Sequence, residues 1–128
     1  MTVDHEIERL VAEIDANADP LHADFTPSVR RLGELGLPAA RAVLPLLDAD
    51  DWLTRLRAQR VLEQVINRRL GWVPGRGYSD PHEGQQKLRT IWEANGGYDA
   101  KAPKEARRRS MALWREWLAA APVEAGPR

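Results

Sequence analysis

Residues 27–65 read PSVRRLGELGLPAARAVLPLLDADDWLTRLRAQRVLEQV, and the spacing of their apolar residues decides the fold. Thr26-Pro27 has the form of an N-cap followed by proline at the first helical position, where a missing N–H costs nothing. Val29, Leu32 and Leu35 line the short helix that follows, and Gly36 closes it. Pro38 opens a further helix with an inner face of Ala39, Ala42, Val43, Leu46 and Leu47; Pro45 lies inside it and predicts a kink or a broken last turn. The turn Asp48-Ala49-Asp50-Asp51 puts a carboxylate at the start of the next helix, over about 51–70, where cap and dipole both favour it. At 100° per residue, Ala58, Val61, Leu62, Val65, Ile66 and Leu70 share one side of that helix, and Arg57, Arg60, Gln64 and Arg68 share the other.

Helical periodicity extends outward in both directions. Upstream, Ile7, Leu10, Val11 and Ile14 follow the i, i+3, i+4, i+7 rule and predict an amphipathic helix over 4–16, with 17–24 as a loop. Downstream, the Gly/Pro-rich 71–79 breaks the helix, and Asp80-Pro81-His82-Glu83 has the form of a capping box. Leu88, Ile91 and Trp92 give a fifth helix its stripe, which Asn95-Gly96-Gly97 ends. A sixth helix is predicted over about 103–121 with Ala106, Ser110, Leu113, Trp114, Trp117 and Leu118 inside. No segment alternates as a half-buried strand does. The expectation is an all-α fold, about six helices in antiparallel pairs forming an α-α superhelix. It is read as one domain over 1–121, with 122–128 as a disordered tail.

The 27–65 stretch resembles a HEAT-type helical repeat of the short bacterial kind. The resemblance rests on Val29-Arg30-Arg31, Leu35-Gly36, Leu37-Pro38-Ala39-Ala40, the acidic turn from Asp48 to Asp51, and Leu56-Arg57. Gly97-Tyr98-Asp99 through Trp114-Arg115-Glu116-Trp117-Leu118 is similar to segments that follow HEAT arrays in some bacterial proteins. The first helix and the 71–80 loop fall outside any repeat register. In such proteins each helix pair has an apolar side too wide to solvate and stacks on its neighbour. The resemblance implies a protein-binding role foremost and a nucleic-acid-binding one second. It carries no catalytic residues to this chain.

With 128 residues the chain suits one domain with a true core. No apolar run approaches the roughly 18–20 residues that span a bilayer, so no membrane partner is expected. The acidic, amphipathic MTVDHEIERL is not the pattern of a secretory signal. The absence of cysteine excludes disulfides, thiol chemistry and Cys-based zinc sites, and suits the cytoplasm. The zero net charge conceals a division. Residues 1–51 hold four basic and eleven acidic residues, whereas 52–128 hold fifteen basic and eight acidic. Such a split steers a charged partner, drives head-to-tail association, or is satisfied within one fold.

Chemistry-bearing patterns are sparse. His5, His22 and His82 lack metal-ligand spacing, and the Asp48–Asp51 turn lacks the glycine and distal glutamate of a calcium loop. Val73-Pro74-Gly75-Arg76-Gly77 lacks the ending of a phosphate loop, and no motif asks for a cofactor. An enzyme would need Asp24, Glu34 or Asp51 gathered with a histidine, which no spacing indicates, so the chain is read as non-catalytic. Trp92, Trp114 and Trp117 sit on apolar faces and are expected in the core; Trp52 borders one. The expected protein-binding surface combines Arg57, Arg60, Gln64 and Arg68 with Trp72, Arg76 and Tyr78 of the following loop, an aromatic-plus-arginine composition typical of hot spots. The run Lys104 to Arg109 (KEARRR) supplies the alternative, a nucleic-acid surface built on Arg107, Arg108 and Arg109.

Overall fold

The structure, a computed structural model, describes residues 2–121. The expected 122–128 tail lies outside them. Six α-helices follow in order: α1 (Val3–Ala12), α2 (Pro27–Leu35), α3 (Leu37–Val43), α4 (Trp52–Arg69), α5 (Pro81–Ala94) and α6 (Lys104–Ala120). A 3-10 helix at Leu44–Asp48 joins α3 to α4. No strand occurs among the described residues, and no helix there is long and apolar enough to cross a membrane.

Local chemistry sets most of the boundaries. Thr26 caps α2 by accepting from Val29 N–H at 3.1 Å, and its own hydroxyl donates to the Ile14 carbonyl at 2.8 Å, which ties the cap to the end of the α1 segment. Gly36, at φ 80°, lets α2 turn directly into α3, a backbone conformation that costs a side-chain-bearing residue more. Pro45 has no N–H to continue an α ladder, and the helix tightens to 3-10 from Leu44 onward. Asp51 caps α4 and Asp80 caps α5 with Pro81 following, as the sequence predicts.

α1 ends at Ala12, not residue 16. Beyond it the ladder shortens to three-residue bonds (Ile14 N–H to Val11, Ala16 N–H to Glu13), and Asn17 turns the chain at φ 58°. The early stop releases Asp15 from the helix and lets it reach α4, where Thr54 and Arg57 bind it.

α4 is the organising element. It packs against α2, α3 and the 3-10 helix on one side and touches α5 on another; α1 packs on α2 and α3, and α6 on the 3-10 helix and α3. Ala58, Val61, Leu62, Val65 and Ile66 of α4 are buried with Val29, Leu32, Val43 and Leu47. Burying a side chain such as Leu62 or Ile66 contributes on the order of 1.5–3 kcal/mol. Trp114 is fully buried, its ring 5.2 Å from that of Trp92 and 5.5 Å from that of Trp117. Trp92 and Trp117 are only half-buried, at the edge of the core rather than inside it.

Two glycines sit where a neighbouring side chain comes too close for a Cβ. The Gln64 side chain lies over Gly33 of α2, and the Tyr78 ring lies over Gly84 of α5.

Candidate functional site

α5 is the least embedded helix: Gly84 is its one buried residue, and its stripe of Leu88, Ile91 and Trp92 is only half-covered. The stripe divides between two depressions. Ile91 and Leu70 face a shallow one of about 540 Å³. Leu88 and Trp92 face a larger open groove of about 840 Å³ between α4, α5 and the 97–101 segment.

α4 contributes Trp52 and Leu56 to this larger groove. They lie one helical turn apart, on the opposite side of the helix from the core residues Ala58 and Val65. Trp52 is 42% exposed, and the Lys101 ammonium lies over its ring at 4.7 Å. Around this apolar floor stand charges of both signs, with Arg60, Arg89 and Lys101 beside Glu63, Glu93 and Asp99.

The walls are held from below. Tyr98 is buried and donates its hydroxyl to the Leu47 carbonyl at 2.6 Å; burial pushes its pKa up to about 12. Trp92 Nε1 donates to the Tyr98 carbonyl at 2.9 Å. Arg55 Nε donates to the Ala100 carbonyl at 2.9 Å, and Gln59 Oε1 accepts from Ala100 N–H at 3.3 Å. The segment after α5 is thereby strapped across α4, and the groove has a fixed rear wall.

The seven residues expected to form one protein-binding surface are not brought together. Arg57 is 5% exposed, contrary to its expected place on a solvated side; its Nε donates to the Ala23 carbonyl at 2.9 Å and its Nη1 to Asp15 at 2.7 Å. The reason is that the 15–24 segment folds over this side of α4, so the helix buries a wider arc than its apolar residues mark out. Gln64 is likewise turned inward, with Nε2 donating to the Val29 carbonyl at 3.2 Å. Arg60 binds Asp24 at 2.6 Å and Glu63 at 2.7 Å while bordering the groove.

The remaining four lie at the far end of α4. Arg68 sits 5.9 Å from the Trp72 ring, Tyr78 hydrogen-bonds Asn67, and Arg76 is exposed. The loop that carries them is closed by paired backbone bonds between Val73 and Gly77, so it is a formed turn.

The alternative set also separates. Arg107 is largely covered and donates to the Ala102 carbonyl and to Asp48; Arg108 is exposed and reaches the other Asp48 oxygen at 3.0 Å; Arg109 points outward. Hydrogen bonds from Arg108 and then Arg107 hold the Asp48 carboxyl below its ordinary range. Asp24 is bound by Arg60, Glu34 by Arg31, and Asp51 by the first turn of α4. Among the described residues no group of three or more His, Asp or Glu stands ready for a metal.

The groove residues Trp52, Leu56, Leu88 and Lys101 were not singled out as one site from the sequence. The available signal was the i, i+4 pair Trp52 and Leu56, apolar yet off the main face. No family model, curated protein or solved structure matches the chain.

Proposed function

We propose that the chain is a non-catalytic protein-interaction module, an adaptor or scaffold of HEAT-like α-α superhelical build working in the cytoplasm. Its α4–α5 groove receives an amphipathic segment of a partner protein. The observation that carries this reading is the floor of Trp52, Leu56, Leu88 and Trp92, four large apolar side chains left partly open between two helices and ringed by both charge signs. Helix-in-groove recognition uses such a floor to take apolar anchors spaced i, i+3/i+4, while rim charges set orientation. Trp52 has the exposure and chemistry of a hot-spot residue. The resemblance of 27–65 to HEAT repeats, and the absence of cysteine, support the class and the compartment.

The test is a selection of peptides from a displayed library on the intact protein, followed by binding measured through tryptophan fluorescence. The expected ligands carry two or three apolar anchors on one helical face, and Trp52→Ala weakens them at least tenfold with no change in melting temperature. Ligands indifferent to Trp52→Ala and to Leu88→Glu, or no ligands at all, overturn the reading.

A further inference from the structure

The second surface concerns α6 and lies apart from the groove. On a helical projection Lys104, Arg108 and Arg115 fall within about 40° of one another. The flank they occupy is identified by contact: Arg108 reaches Asp48 at the end of the 3-10 helix. Leu113 and Trp117 fall on the opposite flank, and Glu105, Arg109 and Glu116 occupy the outermost face between them. From Lys104 to Arg115 the column runs about 16 Å. At its C-terminal end the exposed Arg41 donates to the Leu118 carbonyl at 3.0 Å and adds a fourth cation.

Counter-charge is scarce. Asp48 is shared between Arg107 and Arg108, and Lys104, Arg115 and Arg41 have no carboxylate partner among the described residues. Lys104 and Arg108 lie in the first two turns of α6, where cations oppose the helix dipole; no side chain caps the helix, and Glu105 in the first turn offsets the cost only in part. Asp48 accounts for Arg108, and Arg41 satisfies a carbonyl in the last turn of α6; no such contact accounts for Lys104 and Arg115, which an external anion would pair.

We propose that this flank binds the phosphodiester backbone of a nucleic-acid duplex without reading its sequence. Laid along one strand, the column is long enough to meet about three successive phosphates. Guanidinium forks match phosphate oxygens in pairs. The flank's other exposed residues are Ala112 and Ala119, which offer neither an apolar anchor for a peptide nor a ring on which an unpaired base stacks. Those two absences favour a duplex over an acidic protein or a single strand.

The test is fluorescence anisotropy of a labelled 20-base-pair duplex with the full chain between 50 and 200 mM salt. Three to four phosphate contacts give a log–log slope of about −3, hence a loss of roughly 40- to 150-fold across that range. Lys104→Gln and Arg115→Gln should each reduce the slope by about one. Arg109→Gln should leave it unchanged, and so should Trp52→Ala, which separates this surface from the groove. Asp48→Asn, which removes the negative charge held against Arg108, should tighten binding. No duplex binding at 50 mM salt, or binding as sensitive to Arg109→Gln as to Arg115→Gln, overturns the proposal. Binding of poly-glutamate or of phosphatidylserine vesicles in preference to the duplex overturns it equally.

Discussion

Arg57→Met is the most informative single substitution, because it removes a guanidinium from under the 15–24 segment while keeping most of the stem's bulk. Two bonds are lost: the charge-assisted one to Asp15 at 2.7 Å and the one to the Ala23 carbonyl at 2.9 Å. Hydrogen bonds to charged groups contribute roughly 1.5–3 kcal/mol each, and breaking a fully buried ion pair costs about 3–5 kcal/mol. Here the Asp15 side chain is half-exposed and still accepts from the Thr54 hydroxyl, so its charge is not stranded. The Ala23 residue is also exposed, so its carbonyl can turn to water. The expected loss is therefore about 2–3 kcal/mol, a fall of about 8–12 °C in melting temperature for a domain of this size. Urea unfolding followed by tryptophan fluorescence measures it, with an unchanged m-value as the check that both end states are intact. Asp15→Asn alone should cost about 1 kcal/mol, and the double mutant should reveal a coupling of about 1–2 kcal/mol. A loss below about 0.5 kcal/mol with no coupling would refute the reasoning and return Arg57 to the pool of residues free to contact a partner.

Two further outcomes are expected. Gly84→Ala places a methyl group inside the Tyr78 ring, and the forced shift of the loop should cost about 1–3 kcal/mol; an unchanged melting temperature would show that Tyr78 does not rest on α5. Tyr98, its pKa pushed up to about 12 by burial, favours the neutral phenol in the folded state. Its contribution to stability is thus fully present below pH 10 and is lost as the pH rises from there towards 12. In a Tyr78→Phe background the remaining phenolate absorbance should appear near the higher value, and titration at an ordinary pKa would disprove the buried bond to Leu47.

The parts of this fold that were legible in the sequence are those set within a few residues. The Thr26-Pro27, Asp51 and Asp80-Pro81 starts, the Gly36 turn and the break at Pro45 each depend on side chains adjacent to the backbone they satisfy. The periodic core of α4 was legible for the same reason. Arg57 was not, since its partners lie 34 and 42 residues away and no wheel projection contains them. The helical projection puts this charge on a solvated side, whereas a connecting segment covers that side. Ser110 Oγ donating to the Asn95 carbonyl, and Thr26 donating to Ile14, were hidden likewise, because each joins elements that only packing brings together. The groove was half-legible: Trp52 and Leu56 break the α4 pattern, but the half-open stripe of α5 is evident only once α5 is seen to meet the rest of the fold through α4, the Tyr78 ring and the edge contact of Trp92 with Trp114.

The division of charge along the chain acquires a physical use. Asp15 pairs with Arg57, Asp24 with Arg60, and Asp48 with Arg107 and Arg108, each joining an acid of the first 51 residues to a base beyond them. The first two fasten the segment after α1 onto α4; the third fastens the 3-10 helix onto α6. Asp24, Asp48, Arg57 and Arg107 are mostly covered, so these contacts are screened by salt far less than exposed pairs. Part of the asymmetry is thus satisfied inside the molecule, as closure between its two halves. The matching thins at α6, where one aspartate serves two arginines and, among the described residues, Lys104 and Arg115 along the same flank have no acid paired with them. Three acids of the first half thus close the molecule onto its second half, while Lys104 and Arg115 keep their charge turned to solvent, and it is these cations that the proposed duplex contact would engage in a salt-sensitive way.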